Sequence, residues 1–165
     1  SNIVFGSGGS RRIPDGFDAQ KAKEQFIELC KKMAPLAAKH GITISLEPLN
    51  KGETNFINSL ADGAEIVQAV NQPYFKLLAD IYHMMREDEP ASEIVKYKKI
   101  IVHTHIAEKE NRTAPGIAGD DFRPYLKALQ KAKYKGGLSL ECRWQNIDEE
   151  AAIGIKALRE QMASL

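Results

Sequence analysis

Nowhere in the 165 residues does an apolar run approach the length needed to cross a bilayer, and the opening SNIVFGSGG has neither the basic start nor the apolar stretch of a secretory signal. A soluble, cytoplasmic protein with no membrane partner is expected. Cysteine is scarce too. Cys30 falls in a helical stretch and Cys142 beside a strand end, far apart and in no CxxC pairing, which argues against a zinc knuckle or a disulfide framework. Net charge is nearly absent: 23 Lys and Arg against 22 Asp and Glu leave +1, so no broad field gathers nucleic acid. An initiator Met is also lacking, and the chain starts inside the strand-like run Ile3 to Phe5, so a preceding segment is expected.

What is present is the composition of an ordinary globular domain, 43% hydrophobic and 27% charged, with no low-complexity linker to divide it. One domain over 1–165 is expected. Four segments repeat one plan, a β-branched or leucine-rich run that ends in an ionisable residue before a loop and a helical pattern: ITISLE to Glu47, FKLLAD to Asp80, IIVHTH to His105 and GLSLE to Glu141. The spacings of 33, 25 and 36 residues approach the roughly 30 residues of a βαβ unit. Asn2 to Gly9 reads as a further strand entering a glycine-rich loop. Helical spacing of apolar residues runs over 19–40, 59–70, 92–98, 122–132 and 148–163, with Gly41 closing the first and Pro35 predicting a kink or break within it.

Alternating strands and helices imply a parallel sheet, which must be covered on both faces. A closed (β/α)8 barrel needs eight strands and about 250 residues, and five units alone leave open edges. The expected fold is therefore α/β, strands 4 to 8 of an incomplete TIM barrel, with three N-terminal units absent or supplied by a second chain. A complete five-stranded open sheet is the alternative.

In parallel α/β folds the reactive groups gather at the carboxyl ends of the strands. One acid at such an end is commonly a helix cap, but four consecutive strands ending in Glu47, Asp80, His105 and Glu141 point to a shared site. Three carboxylates and an imidazole make a hard, oxygen-rich shell that suits one divalent cation, Mn²⁺ first, with Mg²⁺ or Co²⁺ as alternatives and Zn²⁺ less favoured. A cation there would polarise a sugar carbonyl and stabilise the enediolate left when a neighbouring C–H proton departs.

The segments LEPLNKGETNFIN, ADIYHM, HTHIAEKENRTAPG and LSLECRW resemble the last four strand-end motifs of the D-tagatose 3-epimerase and D-psicose 3-epimerase group. That group belongs to the xylose-isomerase-like barrel superfamily, which includes many sugar phosphate isomerases/epimerases. FGSGGSRRIP resembles the preceding strand and loop, and only the first three βα units lack a counterpart. The resemblance implies that Glu47, Asp80, His105 and Glu141 are metal ligands and that Glu47 and Glu141 form the catalytic acid/base pair. It also implies that Glu53, His83 and Arg112 contact substrate oxygens, although the stretch from His105 to Arg112 is one residue longer than the family pattern.

The activity so implied is carbohydrate isomerase chemistry, ketose C3 epimerisation through an enediolate, with an aldose–ketose isomerase as the alternative. The substrate is a sugar or a sugar phosphate. A phosphate could be cradled by GSGGSRR with Arg11 and Arg12, but the loop lacks the GxxxxGK[ST] spacing. A metal nuclease resembling endonuclease IV is disfavoured, because the region where that family places an Asp-x-His pair reads Asp120, Asp121, Phe122, Arg123. A non-catalytic barrel fragment and a homo-oligomer are further readings.

Overall fold

Five parallel strands stand side by side in chain order, β1 (Asn2–Phe5), β2 (Thr43–Leu46), β3 (Phe75–Asp80), β4 (Ile101–Ile106) and β5 (Gly137–Leu140), in a computed structural model that describes all 165 residues. Between and after them come α1 (Ala19–Lys39), α2 (Leu60–Val70), α3 (Ile81–Arg86), α4 (Ser92–Lys96), α5 (Arg123–Lys131) and α6 (Ile147–Ala163), with a 3₁₀ turn at Gly8–Arg11. The strand order never reverses, so the sheet forms the half-barrel expected of five βα units and the open doubly wound alternative does not apply.

Local chemistry sets the helix limits. Asp18 accepts a hydrogen bond from the Lys21 amide at 2.6 Å to start α1, and Ser59 accepts from the Asp62 amide at 3.1 Å to start α2. Gly41, at φ 64°, turns the chain after α1, where its amide and that of Ile42 donate to the Ala38 and Ala37 carbonyls. The break that Pro35 could have caused does not occur: α1 is a single 21-residue helix through that position. Phe26, Cys30 and Ala34 repeat at intervals of four and bury one face on both sides of the proline, so tertiary packing offsets the lost backbone hydrogen bond. The six-residue α3 was not foreseen, being too short to show a period.

The core lies between the sheet's outer face and the helices. Ile44, Leu46, Phe75, Leu77, Ala79 and Ile106 point outward from the strands into a cluster of 24 buried residues that includes Phe26, Leu60, Val67, Phe122, Leu126 and Leu158. Helix α2 docks closely enough that a Cβ on Gly63 would stand 2.5 Å from Leu77 Cδ1 and 3.0 Å from Pro48 Cγ, so that turn requires glycine. Alternation sends the other set of residues to the concave face, among them Ser45, Leu78, His103 and Ser139. A register shift between β3 and β4 skips Val102, so Leu78 pairs with His103 and Asp80 with His105. That irregularity brings an acid and an imidazole side by side at the carboxyl end of the sheet.

Candidate metal centre

Each member of the four-residue group stands at or just beyond the end of its strand. The Glu47 amide continues the ladder by donating to the Phe5 carbonyl at 3.2 Å, and the Glu141 amide donates to the Ile106 carbonyl at 3.2 Å. Inward parity then directs both glutamates to the side that carries Asp80 and His105. One ligand atom from each of the four lies within 4.8 Å of the others. His105 Nδ1 is central, 2.9 Å from Glu47 Oε1, 3.2 Å from Glu141 Oε2 and 3.9 Å from Asp80 Oδ2. Glu47, Asp80 and His105 are buried, whereas the Glu141 side chain is 43% exposed.

The electrostatics fit a cation. Burial and the neighbouring Glu47 push the Asp80 carboxyl well above its ordinary range, and Arg112 and His105 offset this only in part. Burial alone would favour neutral His105, but hydrogen bonds to Glu141 and Glu47 outweigh it and lift the imidazole to about 10. Burial opposes charge on Glu141 as well, yet His105 and Arg112 hold its carboxyl down at about 2. Three acids converging on one imidazole leave more negative charge than that ring and Arg112 balance comfortably, and the donor set is all hard oxygen and nitrogen. The group could therefore hold a divalent metal ion.

The three residues expected to meet substrate surround this group. His83, on α3, is buried and pressed down to about 3 by burial and by the Arg112 charge, so its ring is neutral. Its Nδ1 accepts a hydrogen bond from the Asn50 amide at 3.1 Å, which leaves the proton on Nε2, a buried atom with no hydrogen-bond partner. Arg112 crosses the Tyr82 ring at 4.7 Å and reaches the group despite the extra residue in its loop. It pairs with Glu141 Oε2, donates to the Glu141 carbonyl at 3.1 Å, and stands 3.5 Å from Asp80 Oδ2 and 3.4 Å from Glu53 Oε1. Asn111 at φ 58° and Arg112 at φ 54° are two successive left-handed residues in this loop.

Sequence reasoning missed several supports. The Asn50 side-chain amide lies 3.1 Å from Glu53 Oε1 and 2.8 Å from His83 Nδ1, joining two expected substrate contacts. Gly6 is needed because a Cβ there would sit 2.5 Å from Glu47 Oε2. Arg11 turns inward to donate to the Glu47 carbonyl at 2.8 Å, so the glycine-rich loop does not offer it to a phosphate. An apolar groove of about 470 Å³ between β1 and α1, bordered by Phe5, Phe17, Phe26 and Phe56, includes none of the four central residues. Asp120 Oδ2 caps the Lys109 amide at 2.6 Å and Asp121 pairs with Arg123, so neither acid joins the group.

The family model for the xylose isomerase-like TIM barrel matches residues 2–161, and the chain belongs to that family. It is 32% identical over 124 residues to an L-ribulose 3-epimerase of Methylomonas sp. (strain DH-1), covering 74% of this chain and 43% of that protein. It is 31% identical over 109 residues to a 3-dehydro-D-guloside 4-epimerase of Escherichia coli (strain K12), covering 66% of this chain and 41% of the relative. Among solved structures, a D-allulose 3-epimerase from Methylomonas sp. superposes with a TM-score of 0.82 at 24% identity, over 91% of this chain and 59% of that one, a likeness of fold. The chain thus spans less than half the length of these two curated relatives. No helix is long and apolar enough to cross a membrane.

Proposed function

We propose that these five βα units are one domain, 1–165, of a divalent-metal-dependent sugar epimerase that inverts a carbon next to a ketone. The observation that carries this is the convergence of Glu47, Asp80, His105 and Glu141 within 4.8 Å, with a carboxylate oxygen of each glutamate 2.9 Å and 3.2 Å from His105 Nδ1. The names of both epimerase relatives describe the same change, since carbon 3 of a 2-ketose and carbon 4 of a 3-dehydro sugar each adjoin a ketone. Glu47, Asp80, His105 and Glu141 would hold the cation, Mn²⁺ by preference and Mg²⁺ or Co²⁺ as alternatives. When bound, it would polarise the ketone and offset the negative charge that develops there.

The remaining steps belong to side chains. One of Glu47 and Glu141 removes the proton from the reacting carbon and the other delivers a proton to the opposite face, which inverts the centre. Shared coordination of the cation would keep both carboxylates aimed at the same space. His83 donates from Nε2 to a sugar oxygen because Asn50 occupies its other nitrogen, and Glu53 and Arg112 hold further hydroxyls. The substrate is a small sugar, with a phosphorylated one not required by any group in the glycine-rich loop. Strands β1 and β5 each have one neighbour in this sheet, and the activity is that of the whole barrel in which further strands join them, from the same polypeptide or another copy.

Incubating the full-length protein with Mn²⁺ and a panel of ketoses in D₂O tests this reading. Deuterium should enter at the carbon beside the ketone together with inversion. Exchange at C1 or C2 with aldose formation would point instead to an aldose–ketose isomerase, and no exchange with any sugar would overturn both.

A further inference from the structure

The most heavily bonded carboxylate in the protein lies outside the four-residue group. Glu108, three residues past His105, is fully buried, with no charged partner close by. Its Oε1 accepts from the Gly116 and Gly119 amides at 2.8 Å each and from the Asp120 amide at 3.3 Å. Its Oε2 accepts from the Thr113 hydroxyl at 2.8 Å and from the Ala118 amide at 2.5 Å. The Glu108 amide donates to the Thr113 carbonyl at 2.9 Å. Burial would push the carboxyl up, but these donors outweigh it and keep it ionised.

Glu108 opens the loop after β4 and all five donors, from Thr113 to Asp120, follow Arg112, so these bonds close the loop with Arg112 inside the closed segment. Asn111 and Arg112 are both left-handed, a conformation that asparagine tolerates but that is unfavourable for arginine and persists there where surrounding bonds impose it. Glu108 supplies that imposition: it draws 116–120 and Thr113 to a single point, so the intervening turn has one shape. From that turn the guanidinium reaches Glu141, Asp80 and Glu53. The turn is also tied by the Arg143 amide, which donates to the Arg112 carbonyl at 2.8 Å, and by the Lys109 amide, which donates to Asp120 Oδ2 at 2.6 Å, but Glu108 alone gathers five donors.

We propose that Glu108 is a positioning residue that acts through Arg112: its buried carboxylate fixes the loop after β4 so that the guanidinium stands over the sugar-binding side of the metal centre. The assignment rests on the epimerase reading of that centre. Glu108→Gln keeps the size but sets an NH₂ against backbone N–H donors, and it leaves all four central residues in place.

The test uses the full-length protein with Mn²⁺ and compares Glu108→Gln, Arg112→Ala and the double variant. Glu108→Gln should raise KM for the ketose by about 10-fold while kcat changes less. The double variant should be no weaker than Arg112→Ala alone, and Glu108→Gln should alter Mn²⁺ affinity by calorimetry no more than Arg112→Ala does. Effects of the two substitutions that multiply, or a KM that does not move, would overturn the proposal. Thr113→Val, which removes a single donor, carries the same cycle with a smaller effect if Glu108→Gln fails to fold. Hydrogen exchange separates this claim from the epimerase reading. Even if no sugar reacts, the amides of Gly116, Ala118 and Gly119 should lose protection in Glu108→Gln or Thr113→Val while those of β2 and β3 keep theirs. Unchanged protection in the loop would refute the role for Glu108 whatever the enzyme does.

Discussion

Glu47 and Glu141 occupy equivalent ends of their strands, yet one is sealed within the fold and the other is open to solvent. On the β2–β3 side, Glu47 and Asp80 follow strands whose outward residues Ile44, Leu46, Leu77 and Ala79 are locked in the core. The Glu47 carbonyl is held by Arg11, and the space beside its carboxylate is limited by Gly6. On the β5 side, Glu141 is held chiefly by the side chains of Arg112 and His105. Packing sets the geometry of one side and charge sets that of the other. The same residue type in the same topological position can therefore have different tolerance to change.

Removing the carboxylates tests the part the two sides share. Glu47→Gln and Glu141→Gln should each lower turnover of the full-length enzyme by about 10²–10⁴-fold, the range for loss of a general acid or base. If only one does so, the two-glutamate mechanism fails. Shortening sharpens the contrast: Glu47→Asp should cost more than Glu141→Asp, because the backbone of β2 is fixed by the core and by Arg11, whereas Glu141 is held by the long side chain of Arg112, which can follow its carboxylate. Equal losses would show that the surroundings of the two acids do not matter to the chemistry.

A smaller effect is expected one layer out. Gly6→Ala places a Cβ against Glu47 Oε2, in a space bounded also by Leu49, and should lower Mn²⁺ affinity by about 10 to 100-fold in calorimetry without unfolding the protein. An unchanged affinity would mean that the buried side is less rigid than its packing implies.

The contrast also explains what could be read before the structure. Strand ends are legible in one dimension, because alternation of apolar residues stops at an ionisable one; Glu47, Asp80, His105 and Glu141 emerged that way and the structure gathers them together. Half of a barrel was likewise visible in the repeat of strand and helix, as the family match agrees. The register shift that sets Asp80 beside His105 was not, since it depends on which β3 residue meets which β4 residue. Arg112 was found by motif resemblance, but its reach rests on two left-handed residues and on Glu108, and hydrogen bonds from several backbone amides to one carboxylate leave no periodic trace in a sequence. The helix runs unbroken past Pro35 because propensity is local while the face of α1 that it interrupts is held by distant contacts.

The smallest expected effect concerns how the buried side is supported from behind. Helix α2 packs against β3 through Gly63, and its first amide, that of Leu60, donates to Glu89 Oε1 at 2.8 Å. Burial raises the Glu89 carboxyl from 4.5 to about 7, only partly countered by that hydrogen bond. Between these two values the folded protein retains a proton that the unfolded chain has lost, so this group's contribution to stability is complete below about pH 4.5 and is lost as pH rises through about 7. Glu89→Gln keeps the oxygen that accepts from Leu60 and removes the charge. It should raise Tm by about 2 °C at pH 8 and have no such effect at pH 4.5, with Mn²⁺ affinity unchanged because Glu89 touches none of the four central residues. A gain that is equal at both pH values would show that the carboxyl is not strained by burial, and a change in metal affinity would show that the buried side of the site yields to motion in α2 rather than resisting it.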